Sequence, residues 1–116
     1  MQTSLNIPLK ASFGGWKALP WFAWGSNNMK PVLTLHPDKI EYRLFRLRQK
    51  PYSAISRVDY RSAWRTENIV IEFNDTFNTF IGNTGDRDMT CKALIYLRGR
   101  GCYLSERAAV LIASAK

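Results

Sequence analysis

Lys39-Ile40-Glu41-Tyr42-Arg43-Leu44 alternates polar and apolar residues without a break, with Ile40, Tyr42 and Leu44 on one face and Lys39, Glu41 and Arg43 on the other. A period of two is the mark of a strand buried on one side, because successive side chains of extended backbone point to opposite faces. Just upstream, Val32 to Leu35 is a short β-prone run. His36-Pro37-Asp38 between them supplies a turn, since proline presets φ and aspartate bonds its own backbone. The two runs predict a hairpin.

The same period recurs downstream. Val58, Tyr60 and Trp64 face inward while Arg57, Asp59, Arg61 and Arg65 face outward, which gives that strand a basic outer face. Ile69, Ile71 and Phe73 alternate with Val70 and Glu72, and Asn74-Asp75-Thr76 leads into Phe77, Thr79 and Ile81 as a second hairpin. The strand period stops at Gly82. Beyond Gly85, Asp86 reads as an N-cap, Asp88 and Lys92 stand four apart in the favourable order, and Gly99 reads as a helix terminator. Met89, Ala93, Tyr96 and Leu97 would line the buried face. Ser105 reads as a second N-cap, with Ala108, Leu111, Ile112 and Ala115 along one stripe. Helices are therefore expected within 86–99 and 105–115, with a tight basic turn between them.

In the first thirty residues, Leu5 to Leu9 and Lys17 to Trp24 contain strand formers but also Pro8 and Pro20, so they are predicted as edge strands or extended arms. The fold class expected is mainly β with C-terminal α, seven strands preceding two helices. One domain is expected over 1–116, made of an aromatic N-terminal arm or edge strands (1–30), core strands (31–83) and C-terminal helices (84–116).

Composition narrows the function classes. A chain of 116 residues that is 46% hydrophobic and 22% charged can bury roughly two thirds of its unfolded surface without disulfide or metal. The apolar run Ala18 to Trp24 is far short of the roughly 20 residues of a spanning helix, and residues 1–10 lack a secretory pattern. A cytoplasmic address is expected, extending to the inner membrane face if the protein is peripheral. Cys91 and Cys102 form no Cys-x-x-Cys pair and His36 is the single histidine, so no metal ligand set is assembled and no cofactor is expected. Both cysteines read as small buried hydrophobes. His36 reads as an edge-of-strand residue with no nucleophile as neighbour, and Asp86 and Asp88 read as helix N-terminal charge. No nucleophile, base and orienting group recur at an interpretable spacing, so no enzyme and no catalytic residue are expected.

The stretch Lys39-Ile-Glu-Tyr-Arg-Leu-Phe, then Lys50-Pro51-Tyr52-Ser53-Ala54-Ile55-Ser56-Arg57-Val58, then Asn68-Ile-Val-Ile-Glu-Phe resembles bacterial pleckstrin-homology-like (PH-like) domains. The resemblance covers chiefly Pro31 to Asn83, with a helix following near Asp86. It implies a bent, partly open barrel of two antiparallel sheets capped by a C-terminal helix. The second helix and the Trp-rich N-terminal arm depart from the minimal pattern. Such barrels bind lipids, peptides or proteins, so the resemblance implies a binding module without naming its ligand.

Two constellations could carry binding. Between positions 43 and 65 seven basic residues, Arg43, Arg46, Arg48, Lys50, Arg57, Arg61 and Arg65, face the single acid Asp59. They are the candidates for an anion or lipid surface, against the alternative of a solvated strand face. The second constellation is aromatic: Phe13, Trp16, Trp21, Phe22 and Trp24. Strict alternation puts Trp16, Phe22 and Trp24 on one side and Trp21 on the other, so Trp21, with Lys17 near it, is the partner-contact candidate while Trp16, Phe22 and Trp24 pack inward.

The function expected is a non-catalytic binding or scaffold module for protein association, including self-association through a sheet edge or the aromatic arm. Peripheral binding to anionic phospholipid through the basic face is the alternative. Nonspecific nucleic-acid binding follows from a pI of 9.9 and has no dedicated motif.

Overall fold

The alternation at 39–44 forms strand β5 (Lys39–Leu44), which pairs antiparallel with β4 (Leu33–Leu35) in the register Leu35↔Ile40 and Leu33↔Tyr42. Ile40 and Tyr42 are buried, and Glu41 and Arg43 take the other face. The computed structural model describes residues 4–16, 19–26, 32–44, 46–63, 66–76 and 78–114. Besides β4 and β5, these contain β1 (Leu5–Asn6), β2 (Ala11–Trp16), β3 (Leu19–Ser26), β6 (Arg46–Pro51), β7 (Ile55–Ala63), β8 (Thr66–Phe73) and β9 (Asn78–Asn83). One sheet has the order β1-β4-β5-β6 and the other β3-β2-β9-β8-β7, every adjacent pair antiparallel.

The N-terminal segment joins the sheets. Ile7 N donates to Leu33 O at 2.8 Å and Lys10 N donates to Asn83 O at 2.7 Å, so the chain leaves the first sheet and enters the second within four residues. This closes one corner. At the opposite corner the terminal strands β6 and β7 are joined only by the 3-10 turn Tyr52–Ala54, and the two sheets form a partly open barrel.

The reading of this region as edge strands or arms is corrected for β2, which lies inside its sheet between β3 and β9. Residues 11–16 carry no proline, so every backbone donor is available to two neighbours. Proline falls in β3 (Pro20), on the sheet edge, where a missing donor is tolerated. Strict alternation also fails here. Trp16 pairs with Leu19 and Gly15 with Ala23, so residues 20–22 are extra chain between two ladder positions.

The core lies between the sheets and under the first helix. Tyr42 stacks on Phe73 with ring centroids 5.1 Å apart and meets Phe80 at 5.2 Å. Leu33, Leu35, Ile40, Val58, Ile69 and Ile71 surround them, all fully buried. Burial pushes the Tyr42 hydroxyl up to about 12. Val70, which alternation places outward, is buried as well, paired across the ladder with buried Ile81. The second sheet is therefore covered on both faces at β8.

Helix α1 (Arg87–Gly99) starts where Asp86 Oδ1 accepts from Asp88 N at 2.9 Å and Met89 N at 3.5 Å. Ala93, Leu94 and Leu97 are buried in the core, whereas Met89 and Tyr96 are only half-buried. The helix ends at Gly99, the expected terminator, and Gly101, φ 91°, turns the chain beyond it. Helix α2 (Glu106–Ser114) follows, its Ala108 and Ile112 buried. Cys91 and Cys102 are free and buried, and burial raises the Cys102 thiol to about 11. Among the described residues no helix is long and apolar enough to cross a membrane.

Candidate functional site

The two strands that flank the open corner present opposite kinds of edge. On β5, Arg43 N donates to Val32 O and His36 N donates to Lys39 O, so the backbone groups of residues 39, 41 and 43 face β4. Those of residues 40, 42 and 44 then face β6, where their partners are Lys50, Arg48 and Arg46. It follows that the N–H and C=O of Leu47 and Gln49 point away from the sheet. Among the described residues no strand lies beyond β6. Pro51 closes the strand without a donor, and Leu47 is 46% exposed.

The side chains of β6 follow from the same register. Arg48 and Lys50 stand opposite buried Tyr42 and Ile40, on the side of the strand that faces the second sheet. Lys50 Nζ reaches across the gap to Asp75 Oδ2 at 2.5 Å and lies 5.3 Å from the centre of the Phe73 ring. Its stem packs on the core while its charge meets a carboxylate of the β8–β9 turn.

The β7 edge is occupied around Val58. Val58 N donates to Tyr103 O and Ser105 N donates to Val58 O, both at 2.8 Å, so residues 103–105 lie along the strand as a parallel bridge. The next outward donor, Tyr60 N, is bonded to Asp59 Oδ1 at 2.8 Å. Asp59 is 1% exposed and also accepts from Ser105 Oγ at 2.5 Å and from Arg107 Nε and Nη2 at 2.8 Å each. Arg57 and Arg61 approach its Oδ2 at 3.7 Å. Burial alone would raise this carboxyl. The bonds from Arg107, Ser105 and Tyr60 N outweigh that and bring it down to about 2. Ser105 Oγ accepts in turn from Ala108 N, so a single serine caps α2 and ties it to the sheet. Beside this joint an open cleft of about 470 Å³ is lined by Arg57, Ser105, Glu106, Arg107 and Val110.

The basic candidates thus divide into separate groups. Arg48 and Lys50 share one side of β6, with Arg46 at the next register position on that strand, whereas Arg43 is on the outer face of β5. Arg57 and Arg61 both lean on Asp59, and Arg57 is also bonded to Glu72 at 3.1 Å. Lys17 and Arg65 lie outside the described residues, as does the Trp21 side chain, although its backbone belongs to β3. Sequence reasoning missed Ser105 and Arg107 as partners of Asp59. The alternation put Asp59 on the face of Arg57 and Arg61, but nothing local indicated that α2 returns to that strand.

His36 also requires a correction. Ser4 Oγ is 2.7 Å from its Nδ1, and Glu41 Oε1 is 2.8 Å from its Nε2. The β1–β4 register Leu5↔Leu35 sets Ser4 beside His36, a neighbour 32 positions away that local reading could not supply. An ionised Glu41 only accepts, so the neutral ring carries its proton on Nε2 and receives the Ser4 hydroxyl on Nδ1. The His36 bond holds the Glu41 carboxyl below its usual range. With Thr34 Oγ1 donating to Asn6 Oδ1 at 3.2 Å, these residues make a polar ladder across the outer face of the first sheet.

No protein-family model matches the chain, and no curated protein matches it.

Proposed function

We propose that this protein is a non-catalytic, PH-like binding or scaffold module that associates with proteins by strand addition at β6. The observation that carries the reading is the contrast between the two edges. On β7 the outward groups of Val58 and the Tyr60 N–H are taken by residues 103–105 and by Asp59, whereas the groups of Leu47 and Gln49 face outward with no strand beyond them among the described residues. An edge of this kind lends main-chain hydrogen bonds to an extended segment and pockets or charges to alternate side chains.

Panning a library of random linear peptides on the protein tests the reading. Enriched sequences should be poor in proline and should lose binding to Leu47→Pro, which removes an outward donor and no β5 bond. A library with no binder above an unrelated protein of equal charge would defeat it.

A further inference from the structure

We infer that the segment accepted at β6 is an acidic, extended stretch of another protein in which acidic and apolar side chains alternate, and that a second copy of this chain is refused. The inference rests on the strand-addition reading and adds the chemistry of the partner.

Register dictates the pattern. A strand bonded to Leu47 and Gln49 places the residues between those bonds opposite Arg46, Arg48 and Lys50. These are the closer, non-hydrogen-bonded positions, with Cα atoms about 4.5 Å apart, where opposite charges favour pairing and like charges oppose it. Three cations and no acid occupy β6. That side of the strand already receives a carboxylate within the molecule, because Lys50 binds Asp75 at 2.5 Å. On the other face exposed Leu47 offers apolar surface to the residue bonded beside it. Pro51 supplies a carbonyl but no donor and limits the match to about five residues.

The same charges exclude self-pairing. Two antiparallel β6 strands bonded Leu47 to Gln49 would set Arg48 against Arg48 and Arg46 against Lys50, and like charges on an edge are one way natural sheets keep their edges from joining. An acidic strand meets a single like charge, the Asp75 carboxylate bonded to Lys50, and opposite charges at the other two positions.

The test uses the full chain and three labelled nine-residue peptides, read by fluorescence anisotropy. One alternates Glu with Val and Thr, one carries Lys in place of Glu, and one scrambles the first so that its composition is kept and its alternation lost. The alternating acidic peptide should bind, and Leu47→Pro or the pair Arg48→Gln and Lys50→Gln should each weaken it by about tenfold. The charge pair leaves the backbone untouched, so it decides the matter if Leu47→Pro does not fold. Equal binding of the Lys peptide or of the scrambled one would overturn the acidic, alternating partner while leaving strand addition standing. A dimer in sedimentation velocity that Leu47→Pro dissociates would overturn the exclusion of a second copy, again with strand addition intact. If no peptide binds and amide exchange at Leu47 and Gln49 is unchanged by any of them, both readings fall.

Discussion

Asp59 shows how one side chain can tie an element to a sheet. Its carboxylate is buried, accepts from Tyr60 N, Ser105 and Arg107, and has two further arginines at 3.7 Å. A buried carboxylate of this kind stabilises only while ionised and fully bonded. Its folded pKa of about 2 lies below the ordinary 3.8, so its contribution is complete above pH 4 and is lost as pH falls through 2. That contribution is about 2 kcal/mol. Asp59→Asn should lower stability at pH 7 by roughly 3–5 kcal/mol, since Arg107 keeps its charge beside a neutral amide. Urea titrations between pH 7 and pH 2 should show the wild type losing its advantage over the variant across the acid range. Parallel curves at every pH would mean that Asp59 is neutral in the fold. The sequence placed Asp59 correctly among arginines. Its decisive partner is 48 positions away, and no local period encodes that distance.

At the scale of elements, short-range signals were reliable where backbone chemistry is local. Asp86 and Ser105 cap their helices as read from their types, and both hairpins expected between 32 and 81 form. Gly99 ends α1 as read from the sequence, while the left-handed conformation that follows falls on Gly101. The difference has opposite consequences for one substitution. At Gly99 an added Cβ meets nothing within 4 Å, so Gly99→Ala should raise stability by roughly 0.4–1 kcal/mol through the unfolded chain. At Gly101 there is equal space, but φ of 91° strains any L side chain, and Gly101→Ala should cost about 1–2 kcal/mol. Thermal melts of the two variants should move in opposite directions. A shared direction would place the helix terminus elsewhere. The edge of β6 was half legible: that Arg48 and Lys50 share a side follows from their spacing, but which side depends on the register that sets them opposite Tyr42 and Ile40.

Across the whole molecule, alternation predicted the inner face of β8 well and its outer face poorly, and on β9 it named Thr79 and Ile81 where Phe80 is the residue that enters the core. Ile69, Ile71 and Phe73 are buried as expected, and Ile71→Ala should destabilise by roughly 2–5 kcal/mol. Val70 would be a tolerant surface position if only one face were covered. Buried against Ile81, it should instead cost about 2 kcal/mol when replaced by alanine. A ΔΔG within 0.5 kcal/mol of zero in chemical denaturation would show that this face is open.

The distribution of charge supports a last prediction, which separates what the net charge does from what β6 does. A formal charge of +8 attracts any polyanion, and that attraction depends on total charge and salt rather than on one strand. Lys92 and Arg98 are exposed on α1, while Arg48 and Lys50 line the open corner on β6. Replacing either pair by glutamine removes two charges, so both double variants carry the same net charge. Weak binding of duplex DNA at low salt should fall equally in the two, with the slope against salt shallower by similar amounts, since each variant neutralises fewer phosphates. Vesicles containing acidic phospholipid should follow the same rule if they are held only by diffuse charge. Binding of the alternating acidic peptide should fall in the β6 variant alone. If the β6 pair instead dominates the loss of DNA or vesicle binding, the open corner is an interface for that polyanion, and protein association is no longer the reading its charges favour.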